Sequence, residues 1–334
     1  MKKFDYESVV GHDLVCTKLQ QAVASDRTVS AYLISGPEGI GKKTVTYPFA
    51  AALLCESPQN GRACLQCSSC RLLAGGAHPD LFFLTVPPDK KSIGVEEVRD
   101  QLIKEAYVRP FSATRKVFVI EQGELMTQGA QNALLKILEE PPSYAVFIIL
   151  ASAQDQLLET IRSRCLKLQL LPLSAKDCAA YFGRMTEGAE KRRALSAAFS
   201  QGNLGRGQRM LCDDSYYALY VETVDKLLCM AKRPSGLSDM QRHLAEHKDA
   251  AADVIDFLLV FLRDCMRRSI SPDALLICTD REKESLSFGK ELTAKGLVCV
   301  MEALIHFRDR LQKNAGYTAA CLELLTRIQE EIHD

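Results

Sequence analysis

The chain has 334 residues, 47% of them hydrophobic and 25% charged, with 42 basic side chains balancing 42 acidic ones. That length fits two or three domains, because single cores seldom grow beyond roughly 250 residues, and the charge balance excludes a global field that would draw the chain to nucleic acid or an anionic membrane. No apolar stretch approaches the roughly 20 residues needed to span a bilayer, and the start, MKKFDYESVVG, lacks a signal-peptide core, so the expected location is the cytoplasm.

After a turn at Val9-Val10-Gly11, Leu14, Leu19, Ala22 and Val23 predict an amphipathic helix. A buried strand over Ala31 to Ser35 then runs into Gly36-Pro37-Glu38-Gly39-Ile40-Gly41-Lys42, the G-x-x-x-x-G-K pattern of a phosphate-binding loop. The helix expected over 44–55 would turn its first amides toward an anion, with Pro48 tolerable only near its first turn. The residue after Lys42 is Lys43, where the pattern carries the Ser or Thr hydroxyl that ligates Mg²⁺, and Thr44 sits one position late. Gly36, Gly39, Gly41, Lys42 and Thr44 are therefore candidate residues of a degenerate nucleotide site, open to ATP or ADP without turnover. The glycines serve equally well in a second reading, in which they only shape the turn.

Thirteen cysteines, an odd number scattered through apolar positions, read as reduced thiols behaving as small hydrophobes. Cys55, Cys64, Cys67 and Cys70 stand apart. Two overlapping C-x₂-C steps, with Gly61 allowing the chain to return to Cys55, predict a closed structural Zn²⁺ module over 55–70, with His78 as an alternative fourth ligand. The plainer alternative is four unligated surface thiols.

Leu81 to Val86 predicts a second strand, and Val95 onward a helix that Pro110 ends. Val117 to Ile120 suits a strand buried on both faces. It leads into Glu121-Gln122, where a hydrolytic site carries Asp-Glu, the acid that holds the metal and the acid that polarises water. Gln122 is an amide and cannot act as a base, which makes a second defect independent of Lys43. A helix over 128–140 (NALLKILEE), stopped by Pro141-Pro142, precedes a further strand over Ala145 to Leu150, Ser152 at that strand's end, and the run LLETIRSRCLKL. Strands alternating with helices imply a parallel α/β domain that binds ligands at the strands' carboxyl ends. Beyond Leu173 the pattern is helical, at roughly 175–187 and 190–200, after the turn Gly202 to Gly207, and over 217–231, 251–266, 295–311 and 319–332. No catalytic cluster stands out in that last region.

VVGHD, GPEGIGK, the four-cysteine insertion, NALLKILEEPP, IRSRC and GNLGRG, in that order over roughly residues 4 to 210, resemble the clamp-loader branch of the AAA+ ATPases. The resemblance implies a nucleotide-binding-type domain over 1–168, a helical lid over 169–212 and a helical collar over 213–334. It also implies a place in a bacterial DNA polymerase III holoenzyme, beside delta and gamma or tau subunits, acting on the sliding clamp and primer-template DNA through the assembled complex. Arg164 of the SRC motif is, by that resemblance, an arginine finger offered in trans to a neighbour's ATP site, with a structural ion pair as the other reading. Arg206 falls near the family's second sensor arginine, with Gly205 at that position as the alternative alignment. Glu121 and Gln122 then mark a non-hydrolysing member. The alternative is an active gamma- or tau-like ATPase in which Thr44 and Glu121 or Glu124 compensate.

Overall fold

The structure, a computed structural model, describes residues 2–333 apart from 187, 234, 272 and 313–315. The chain divides into two compact units, residues 1–177 with 202–205, and residues 178–201 with 206–334.

The first unit is built on a parallel sheet of five strands, β1 (Ala31–Ser35), β2 (Leu81–Leu84), β3 (Lys116–Ile120), β4 (Ala145–Ala151) and β5 (Leu166–Gln169), in the order β2-β3-β4-β1-β5. Its helices are α1 (Asp13–Ala24), α2 (Lys42–Leu54), α3 (Ser68–Ala74), α4 (Val95–Glu97), α5 (Lys104–Ala106), α6 (Gln128–Glu139) and α7 (Glu159–Arg164), with a π-helical stretch over Val98–Ile103 between α4 and α5. Both sheet faces are covered. Val117, Val119, Val146 and Ile148 pack with Tyr32, Ile34 and Phe49 on one side, whereas Phe118, Ile120, Phe147 and Ile149 pack with Leu33, Leu134 and Ile137 on the other. Double burial explains why these strands read as unbroken apolar runs rather than alternating ones. Phe82, Phe118 and Phe147 stack across three neighbouring strands with ring centroids 5.2 Å apart at each step.

Three local departures from the sequence pattern have physical causes. The helix after the phosphate loop starts at Lys42 rather than 44, and Pro48 lies inside it, past the first turn. Pro48 has no N–H to return to the carbonyl of Thr44, and the apolar packing of Phe49 to Leu54 carries the helix through. The strand β5 had no sequence signal, because at the sheet edge only Leu168 of its four residues is buried.

The second unit is helical: α8 (Ala175–Gly183), α9 (Glu190–Ser200), α10 (Leu204–Cys212), α11 (Asp214–Lys232), α12 (Gly236–Glu246), α13 (Ala251–Ile270), α14 (Glu282–Glu291), α15 (Ala294–Gln312) and α16 (Tyr317–His333), the first residues of α8 and of α10 being counted with the first unit. The end of the first predicted segment, at 187, lies outside the described residues. Its core gathers Phe199, Tyr220, Phe257, Phe261, Leu297, Leu304 and Leu325. The helices α12 and α14 lie outside the predicted segments, although Met240, His243 and Leu244 of α12 are buried at helical spacing.

Candidate functional site

The phosphate loop bridges β1 and α2, and its conformation requires its glycines. Gly39 and Gly41 have φ of +80° and +107°, in the region that side chains avoid, so the loop can fold back over the first turn of α2. Gly36, at φ +152°, also has no room for a Cβ, which would lie 2.9 Å from the carbonyl oxygen of Leu170. Lys42 is turned onto the loop. Its Nζ donates to the carbonyls of Gly36 (2.6 Å) and Pro37 (3.1 Å) and to Ser152 Oγ (2.7 Å). Burial pulls its pKa below the usual lysine value, against the opposing charges of Glu124 and Glu38.

Ser152, which from sequence alone reads as an ordinary strand-end residue, thus touches the loop lysine from the end of β4. Its own N–H donates to Glu124 Oε1 (3.1 Å), while Glu124 Oε2 is buried without a hydrogen-bond partner. His12 also reaches the loop. From the VVGHD turn its Nε2 meets the carbonyl of Ile40 at 3.0 Å. On the far side of the loop, Asn203 Nδ2 donates to Glu38 O (2.5 Å) and Gly205 N–H to Gly39 O (3.1 Å). A Cβ on Gly205 would stand 2.7 Å from the Gly39 Cα, so this approach requires a glycine.

The two departures from a hydrolytic site meet each other. Lys43 Nζ lies 2.6 Å from Glu121 Oε2, so the two residues that depart from the motif form an ion pair. Glu121 is buried, whereas Gln122 is exposed, in the left-handed conformation at φ +53°. Thr44 is exposed on the first turn of α2.

Arg164, the last residue of α7, donates to Thr160 O (3.0 Å) and to Glu139 Oε1 at the end of α6 (2.7 Å). Both side chains of that pair are substantially solvent-exposed. Arg206 lies in the second unit, its guanidinium 4.4 Å above the Phe199 ring and 3.7 Å from an Asp256 carboxylate oxygen.

The cysteines form a separate cluster. The four sulfurs lie within 4.8 Å of one another, with Cys55 to Cys67 at 3.9 Å and Cys64 to Cys70 at 4.0 Å. Sulfurs at about 2.3 Å from one tetrahedral ion stand about 3.8 Å apart, so the spacing fits a metal ion. The N–H groups of Cys64, Cys67 and Cys70 point at Cys55, Cys64 and Cys67 Sγ respectively, at 3.3 to 3.4 Å, a cradle for negative sulfur. Burial raises the Cys55 and Cys70 thiols; at Cys64 burial also opposes ionisation, but the N–H groups of Gln66 and Cys67 outweigh it and bring the thiol down to about 6. His78 stands outside the cluster, with Nε2 on Ser69 Oγ (2.9 Å) and Nδ1 accepting from Asp80 N–H (3.1 Å).

Comparison with known families places this geometry. Residues 11–174 match the family model described as DNA polymerase III, delta subunit, and residues 221–329 match DNA polymerase III, delta subunit, C terminal. The chain is 29% identical over 317 residues to DNA polymerase III subunit delta' of Escherichia coli, covering 93% of this chain and 92% of that one. The chain belongs to the DNA polymerase III delta-prime family. Another delta-prime relative, from Pseudomonas aeruginosa, is 43% identical over a shorter stretch that spans 43% of either chain. DNA polymerase III subunit tau of Bacillus subtilis is 28% identical over 80% of this chain, which spans 51% of tau's length. Among solved structures, a gamma subunit-related protein of DNA polymerase III from Thermotoga maritima is 17% identical with a TM-score of 0.48, covering 95% of this chain and 99% of that one. In this delta-prime chain the loop lysine lies at the carboxyl ends of β1 and β4. Among the described residues no helix is long and apolar enough to cross a membrane.

Proposed function

We propose that this chain is a non-hydrolysing member of a cytoplasmic clamp-loader ring, contributing to ATP turnover only through a neighbour. The observation that carries the reading is the 2.6 Å Lys43–Glu121 pair. A lysine ammonium has no lone pair to offer a metal ion, and Gln122 is an amide that cannot act as a base, so the groups that bind metal and activate water are both replaced. Lys42, held by loop carbonyls and Ser152, leaves at most passive binding of ATP or ADP.

Arg164 is proposed to meet the γ-phosphate in an adjacent gamma or tau site. Its exposed pair with Glu139 is of a kind worth no more than about 1 kcal/mol, so the guanidinium exchanges partners easily. Zn²⁺ held by Cys55, Cys64, Cys67 and Cys70 would brace the insertion, leaving no position for substrate. The proposed division is a nucleotide-type domain over 1–168, a lid over 169–212, with Arg206 in its last helix as the sensor, and a collar over 213–334. Delta and gamma or tau are the proposed neighbours, and the sliding clamp and primed DNA are engaged by the assembled ring.

The test is ATP turnover by the isolated chain and by a reconstituted clamp loader. The isolated chain should show none, and Arg164→Ala should depress turnover in the complex; turnover by the chain alone would overturn the reading. An active ATPase has one observation in its favour, the unpartnered Glu124 Oε2 beside Ser152. It requires Lys42-dependent turnover in the absence of other subunits.

A further inference from the structure

In the second unit, Glu222 of α11 faces His243 of α12 and His247 just past its end. The two histidines are one helical turn apart, which puts both rings on one side, 4.7 Å between centroids. His243 Nδ1 lies 3.6 Å from Glu222 Oε1, and His247 Nε2 lies 4.0 Å from Glu222 Oε2. His243 is 1% exposed, and its Nδ1 is buried with no hydrogen-bond partner. Its Nε2 is occupied 2.8 Å from Thr223 Oγ1. The ring is thus oriented by a hydroxyl behind it while its free nitrogen points at a carboxylate from beyond hydrogen-bond distance. A buried nitrogen left this way is costly, and ligating imidazoles are characteristically held at their other nitrogen as this one is.

We propose that Glu222, His243 and His247 bind a zinc-class divalent ion that staples α11 to α12. Nitrogen and oxygen ligands at about 2.0–2.2 Å from a tetrahedral ion are about 3.4 Å apart; the three ligand atoms already lie within 4.8 Å of one another, so the partly exposed Glu222 and His247 side chains close the set by about an ångström. Two imidazoles and a carboxylate suit zinc rather than magnesium or calcium, which take oxygen ligands. His247 and Glu222 reach solvent, so water completes the set.

The test is titration of the metal-stripped full chain with Co²⁺ and Zn²⁺, followed by optical spectroscopy and elemental analysis. The expected result is a Co²⁺ signal lacking thiolate charge transfer, in addition to any thiolate signal from the cysteine cluster. His247→Ala and Glu222→Gln should each remove that signal, with one zinc equivalent, and leave helical circular dichroism and any thiolate band unchanged. These partly exposed positions are chosen because the buried His243 would disturb folding when replaced. The proposal is overturned if the wild type shows no thiolate-free ion, or if that ion persists in both variants.

Discussion

Lys43 Nζ stands 2.6 Å from Glu121 Oε2, joining residues 78 positions apart at the carboxyl end of β3 and the first turn of α2. A lysine is more than half exposed there, so the pair adds little to stability, about 1 kcal/mol at most; its consequence is chemical. Lys43→Thr with Glu121→Asp should leave the melting temperature nearly unchanged and create Mg²⁺-dependent nucleotide affinity absent from the parent. Binding of a fluorescent ATP analogue with and without Mg²⁺ checks this, and equal affinity under both conditions would count against the metal-replacement account.

For Arg164→Ala, the exposed pair with Glu139 limits the stability loss to less than about 1 kcal/mol. An arginine finger is worth on the order of 10³-fold in rate in other NTPases, so turnover by the assembled complex should fall by up to that factor, diluted by sites that use other arginines. Arg164→Lys should not restore it, because an ammonium lacks the planar fork. Steady-state hydrolysis with primed DNA and clamp reads the outcome.

Asp80 gathers the loop after residue 110, accepting from the N–H groups of Phe111 (2.7 Å), Ser112 (2.9 Å) and Ala113 (3.0 Å). Burial opposes its ionisation, but those donors outweigh it and hold the carboxyl below the usual carboxylate range. A depressed folded-state pKa means that the stabilisation is complete above the unfolded value, about 3.9, and is lost as pH falls through the folded one. Asp80→Asn should therefore cost about 2 kcal/mol at pH 7 and flatten the acid limb of stability against pH, as measured by urea unfolding from pH 7 down to 3.

Gly205→Ala would set a Cβ 2.7 Å from the Gly39 Cα and 2.8 Å from the Gly39 carbonyl oxygen, contacts no backbone tolerates unmoved. The 202–205 segment must then withdraw, breaking the Gly205 N–H to Gly39 O bond. Amide exchange across residues 36–41 should quicken in this variant, whereas Gly76→Ala, strained at its own φ of +72° but with a Cβ that meets nothing within 4 Å, should leave that loop undisturbed.

At the cysteine cluster, Cys64→Ser should lower the zinc content by one equivalent relative to the parent chain, and chelation should loosen residues 55–78 to limited proteolysis. Unchanged zinc content in Cys64→Ser would remove the cluster as the metal's seat.

Much of the first unit was legible in the sequence because its signals are local. Apolar runs mark β1, β3 and β4 since both faces are buried, the glycines and Lys42 mark the loop since only that composition forms the turn, and four closely spaced cysteines announce their own cluster. The edge strand β5 was not, because it buries only one of its four residues, and the helices α12 and α14 lay outside the predicted segments although α12 buries Met240, His243 and Leu244 at helical spacing. By itself the sequence determined that Lys43, Glu121 and Gln122 stand where the motif carries Ser or Thr, Asp and Glu, since each is a matter of residue identity at a motif position. Only the tertiary structure decided that Lys43 and Glu121 answer each other, that Ser152 holds Lys42, and that Glu222, His243 and His247 converge, because each joins side chains from different elements. Such meetings depend on how strands and helices pack, which no spacing along the chain encodes.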